Sequence, residues 1–128
     1  MHKLFLLSAS ISGALAVSLG AFGAHALKAR LTESGLLGTY ETAVAYHFYH
    51  TLALLAIGLL AMKFPSATLN WSGYAMMAGI LIFSGSLYVL SLSGIKWLGA
   101  ITPLGGLVLI AGWVCLFIAI TRDFVPKL

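Results

Sequence analysis

Four stretches of the chain, roughly Leu4–Leu27, Thr42–Met62, Trp71–Ser93 and Trp97–Thr121, stay apolar for the ~20 residues a helix needs to cross ~30 Å of hydrocarbon. This constrains the fold most, because a backbone in lipid has to satisfy its own N–H and C=O groups, as a helix does. The predicted fold class is all-α, an integral-membrane four-helix bundle formed as one membrane domain over residues 1–128. Composition points the same way: 61% hydrophobic and 8% charged residues lie far from the balance of a soluble domain. The net charge of +4 comes from residues scattered singly at segment ends. That pattern suits anchoring beside lipid headgroups and excludes a nucleic-acid footprint, so the partner predicted is the lipid bilayer. The lone Cys115 has no partner for an internal disulfide.

Met1-His2-Lys3, the apolar run behind it and Ala24-His25-Ala26 imitate a cleavable secretory signal. The apolar part is longer than the ~7–15 residues of a signal core, so the segment is read as a retained span. Four crossings return both termini to one side. Lys3, Lys63, Arg122 and Lys127 on that side face Lys28, Arg30 and Lys96 on the other, which places both termini inside. Trp71, Trp97 and Tyr40 near helix starts suit aromatic interface anchors. In the first connection Leu31, Leu36 and Leu37 alternate with polar residues, as in a short interfacial element.

Ser8, Ser12, Ala16, Gly20 and Ala24 follow one another at four-residue spacing and make a small-residue packing face, which predicts a central first helix. Gly79, Gly85 and Ser86 in the third span and Gly99, Gly105, Gly106 and Gly112 in the fourth permit further close approach. A spare small face leaves a homo-oligomer or a larger membrane complex open. Pro103 is harmless within a first turn; a helix begun at Trp97 would be bent by it, freeing a carbonyl for Thr102 or water.

Ionisable groups at membrane depth are rare and mark a site by default. His47 and His50 stand three apart and Tyr46 and His50 four apart, so all three share one helix face. The topology brings His25 at the end of the first span, Tyr88 and Ser91 in the third and Thr102 in the fourth to the same layer, near the outer face. Ser84, Tyr88 and Ser91 are spaced to line one side of a shared cavity. The favoured reading is cross-helix hydrogen bonding that fixes the bundle. The alternatives are a proton or small-ligand site, a metal site on His25, His47 and His50, or an oligomeric transporter. Neither an HExxH pattern nor a nucleophile elbow is present, so no catalytic residue is selected, an enzyme is disfavoured, and the identity of any metal or cofactor stays open.

Gly20-Ala21-Phe22-Gly23-Ala24-His25-Ala26-Leu27, Glu41 through His50, Phe83-Ser84-Gly85-Ser86-Leu87-Tyr88 and Thr102-Pro103-Leu104-Gly105-Gly106 with Ala111-Gly112-Trp113 appear in order along the chain. Together they resemble the small bacterial membrane proteins grouped as domain of unknown function 423, also called uncharacterised protein family 0382, to which transmembrane protein 256 is a eukaryotic relative. The resemblance implies four spans in a bacterial inner membrane with the first helix retained. It implies no established activity, so it carries over no catalytic residue.

Overall fold

The computed structural model describes residues 1–124; Lys127, counted above on the terminal side, lies outside the described residues. The described chain is helical, with α1 (His2–Ala24), α2 (Lys28–Ser34), α3 (Leu37–Lys63), α4 (Ala67–Gly79), a π-helical turn (Ile80–Ser84), α5 (Gly85–Ser93), a 3-10 turn (Lys96–Ala100) and α6 (Thr102–Arg122). The α4–π–α5 run is one continuous span, so among the described residues four helices are long and apolar enough to cross a membrane.

The centre of the bundle is α3, which differs from the expectation for the first helix: 44% of its apolar window is buried against 17% for α1. Its buried positions Tyr40, Ala43, His47, His50, Thr51, Leu54, Ile57, Gly58 and Ala61 recur every three or four residues. The small residues of α1 lie mainly against α3: Ala9, Ala16 and Gly23 are buried, Ser12 and Gly20 are half-buried, and Gly20 is backed by Val44, while Phe5 is buried against Gly73 and Tyr74 of α4. The buried line is thus rotated from the strict four-residue one, leaving Ser8 half-buried and Ala24 exposed.

Glycines set the second close seam, between α4–α5 and α6. A Cβ at Gly79 would press into Leu109, one at Gly112 would meet Met76, and one at Gly105 would lie 2.4 Å from the Phe83 amide nitrogen. Backbone therefore meets backbone where the π turn faces α6, and van der Waals contact replaces the hydrophobic drive that lipid does not provide. In the π turn the Gly85 amide donates to the Ile80 carbonyl, five residues back. The Ser72 hydroxyl adds a hydrogen bond to the Gly112 carbonyl at 2.7 Å.

Pro103 falls in the first turn of α6, where its missing N–H leaves no intrahelical bond unmade. The kink expected of a helix starting at Trp97 is absent because a separate 3-10 turn occupies that stretch. Tyr40 is also placed differently from an interface anchor: its ring fills the notch left by Gly23, and its hydroxyl donates to the Leu19 carbonyl at 2.5 Å. Trp71 and Trp97 are exposed. In α2, Leu31 is fully buried, and Arg30 donates to the Leu92 carbonyl at 2.6 Å, tying the connection to the end of α5. At the opposite end Ser66 caps α4 and donates to Asp123, while Arg122 reaches both Asp123 and Thr68.

Candidate functional site

Two imidazoles of α3 reach in different directions. His50 is the middle residue of Leu37–Lys63, so it stands about 20 Å from either end at 1.5 Å per residue. Its Nδ1 lies 2.8 Å from the Tyr46 carbonyl, and its Nε2 receives the indole N–H of Trp113 in α6 at 3.1 Å. An indole nitrogen only donates and a carbonyl only accepts, which fixes the neutral Nδ1–H tautomer of His50. Tyr46 stacks on the same ring at 5.8 Å and leans on Phe83 at 4.7 Å. His50 thereby joins α3 to α6.

His47 joins α3 to the other two neighbours. Its Nδ1 meets the Tyr88 hydroxyl of α5 at 2.9 Å and its Nε2 meets the Ser12 hydroxyl of α1 at 2.9 Å. Ser12 continues to Thr51 at 2.6 Å, so Tyr88, His47, Ser12 and Thr51 form one hydrogen-bonded line across three helices. Tyr88 also packs edge-on against Tyr40 at 5.4 Å. Among the described residues, every buried side-chain nitrogen and oxygen has a partner. That is what an apolar surrounding demands, since an unpaired buried polar group costs about 1–3 kcal/mol.

The other predicted site residues are placed apart from these two imidazoles. His25 follows the end of α1, is exposed, and borders a shallow surface dip with Ser18 and Phe22. Thr102 pairs with Ser86 at 2.6 Å, and Ser86 in turn donates to the Phe83 carbonyl. Ser84 donates to the Ala43 carbonyl at 2.9 Å, whereas Ser91 is turned onto its own helix and bonds the Leu87 carbonyl. Among the described residues no group of three His, Cys, Asp or Glu is close enough to hold a metal ion. Cys115 is half-buried.

Sequence reasoning did not find Thr51 and Trp113 as partners, and it took Ser12 for packing alone. The available signals were positional: Thr51 follows His50 directly, and Trp113 lies near the middle of α6, at the depth of His50.

Between α1 and the α4–π–α5 span lies a lateral groove of about 350 Å³. Ile11, Leu15, Leu81 and Met77 form its walls, and Ser12, His47, Ser84 and Tyr88 contribute polar atoms along it. Among the described residues no charged side chain lines it.

The family model described as "Protein of unknown function (DUF423)" matches residues 19–106. A UPF0382 membrane protein of Staphylococcus aureus (strain bovine RF122 / ET3-1) is 46% identical over 117 residues, covering 91% of this chain and 94% of the relative. UPF0382 membrane protein YwdK of Bacillus subtilis (strain 168) is 43% identical over 121 residues, covering 94% and 98%. No solved structure matches the chain.

Proposed function

This chain belongs to the DUF423 family and its relatives are named membrane proteins; from that premise we propose that it is a structural or accessory protein of the bacterial inner membrane, held in one arrangement by the polar side chains of α3. The observation that carries this reading is the division of labour between the two imidazoles. His47 bridges to α1 and α5, His50 bridges to α6, and both are consumed by protein partners. Interhelical hydrogen bonds of this kind fix helix rotation and register in a medium where apolar contacts discriminate little. The polar layer then sits between the outer face and the bilayer midplane, with the termini cytoplasmic by the Lys and Arg distribution.

A metal-site reading has less support, since His25 is remote from the His47 and His50 bridges. Self-association remains part of the proposal for the exposed faces of α1 and α6, whose apolar windows are 17% and 22% buried. The test is to purify the full chain in lipid nanodiscs and compare wild type with His50→Ala. Lowered resistance to unfolding together with substoichiometric metal supports the structural role. Equimolar metal, lost in His50→Ala without a change in stability, overturns it.

A further inference from the structure

The run Ala24-His25-Ala26, small at the two positions that a signal peptidase reads, falls where the chain leaves α1. All three residues are exposed, and residues 25–27 form the turn into α2. In the proposed orientation, on which this site rests, α1 runs from the inner face to the outer, so the turn lies where such peptidases cut. Side chains and exposure therefore present the Ala26–Leu27 bond. The backbone withholds it. The Leu27 amide, whose nitrogen belongs to that bond, donates to the Phe22 carbonyl at 2.8 Å, and the His25 amide donates to the Ala21 carbonyl at 3.1 Å. Leu27 also begins α2, its carbonyl accepting from the Leu31 amide at 2.9 Å. A peptidase takes its substrate as an extended strand, so these three hydrogen bonds have to open before the cut.

The docking of α1 on α3 keeps them closed. Gly23, next to Ala24, is buried, the space of its missing side chain is filled by the Tyr40 ring, and the Tyr40 hydroxyl holds the Leu19 carbonyl one turn earlier. Further back, Ser12 bonds His47. The rest of α1 is lightly enclosed, with 17% of its apolar window buried. An element with few buried contacts opens locally without unfolding of the whole, and proteolysis follows the population of that open form.

We infer that Ala26–Leu27 is a latent signal-peptidase site, closed while Tyr40 is seated against Gly23 and open in chains whose first helix has left α3. In the cut, water adds its hydroxyl to the Ala26 carbonyl carbon and its remaining hydrogen to the Leu27 nitrogen as the C–N bond breaks. Residues 1–26 are released from a chain that starts at Leu27. The loss includes Ser12, and with it one partner of His47. The 23 residues of α1, against ~7–15 for a signal core, suit a helix that stays as a span when docked.

The test digests the purified full chain in detergent micelles with a bacterial signal peptidase and reads the product by N-terminal sequencing. Digestion in micelles does not depend on which face the turn occupies in the cell, so its failure counts against the site and not against the proposed orientation. Tyr40→Ala, which leaves the residues around the bond unaltered, is expected to be cut after Ala26 at least ~100-fold faster than wild type, the effect on an opening equilibrium of removing a large buried ring. Gly23→Ala, whose new Cβ presses into the Tyr40 ring without removing it, is the milder variant and gains roughly 5- to 150-fold. Adding Ala26→Phe to either variant abolishes the cut, because the position before the bond has to be small. Wild type cut as fast as both variants, no product starting at Leu27 from Tyr40→Ala and Gly23→Ala, or a cut that survives Ala26→Phe would each overturn the inference.

Discussion

The bond between His50 and Trp113 offers a direct energetic test, because it is a side-chain hydrogen bond that ties the middle of α3 to α6. His50→Leu removes the acceptor and leaves the indole N–H without a partner; Trp113→Phe removes the donor and leaves Nε2 without one. Each single change therefore combines a stranded polar group, about 1–3 kcal/mol, with a packing change, and neither isolates the bond. The double variant strands nothing. The cycle closes on a coupling free energy, for which hydrogen bonds between membrane helices average ~0.6 kcal/mol and reach ~1.7 kcal/mol. A single neutral N–H···N contact at 3.1 Å gives no reason to leave that range. The average is small because a separated helix in the membrane also finds partners for its polar groups. The assay is reversible unfolding in mixed micelles of rising SDS content, followed by Trp fluorescence with Trp71 and Trp97 as common background. Single changes that add within about 0.3 kcal/mol, as independent sites do, would refute the claim that this bond joins the helices.

Three further outcomes follow from the packing and the membrane-edge charges. Gly105→Ala forces a Cβ to within 2.4 Å of the Phe83 amide, so overpacking should destabilise the bundle by about 1–3 kcal/mol in the same assay, whereas Gly85→Ala, where nothing lies within 4 Å, should not. Tyr40→Phe loses the bond to the Leu19 carbonyl and should cost about 0.5–1.5 kcal/mol while keeping the ring in the Gly23 notch. At the membrane edge, the Ser66 hydrogen bond, the largest effect, holds the Asp123 carboxyl below its ordinary value of 3.8 against desolvation, the next largest, with lesser help from Arg122 and Thr68. A lowered folded-state value stabilises above the unfolded one, so this link is intact at neutral pH and lost as pH falls below 3.8 through the folded value. Asp123→Asn should flatten that part of the pH dependence of unfolding.

The four spans were legible because length and apolarity alone specify a crossing helix. Which side of each helix faces protein was not, since spans that are apolar all round give no stripe by which to orient them. Hence the small residues of α1 point it to the central place that α3 holds: they record where backbones approach, but not how many neighbours a helix has. The same blindness to rotation hid Trp113, whose single N–H chooses His50 only once α6 is turned toward α3. The Tyr46–His50 register was readable, being fixed within one helix. His25 was drawn into the layer by sequence position, yet it lies past the last turn of α1, where the chain leaves the bundle for α2. Tyr40 reads as an interface anchor until Gly23 is seen to open a notch for its ring.

Nitrogen-15 NMR of the full chain in bilayers, with histidine labelled at both ring nitrogens, tests most directly whether the imidazoles are spent on holding helices together. The account predicts that His50 is neutral, protonated at Nδ1 and slow to exchange with water, with Nε2 showing a through-hydrogen-bond coupling to the Trp113 indole. A His50 ring protonated at Nε2, or one exchanging freely with solvent, would contradict it.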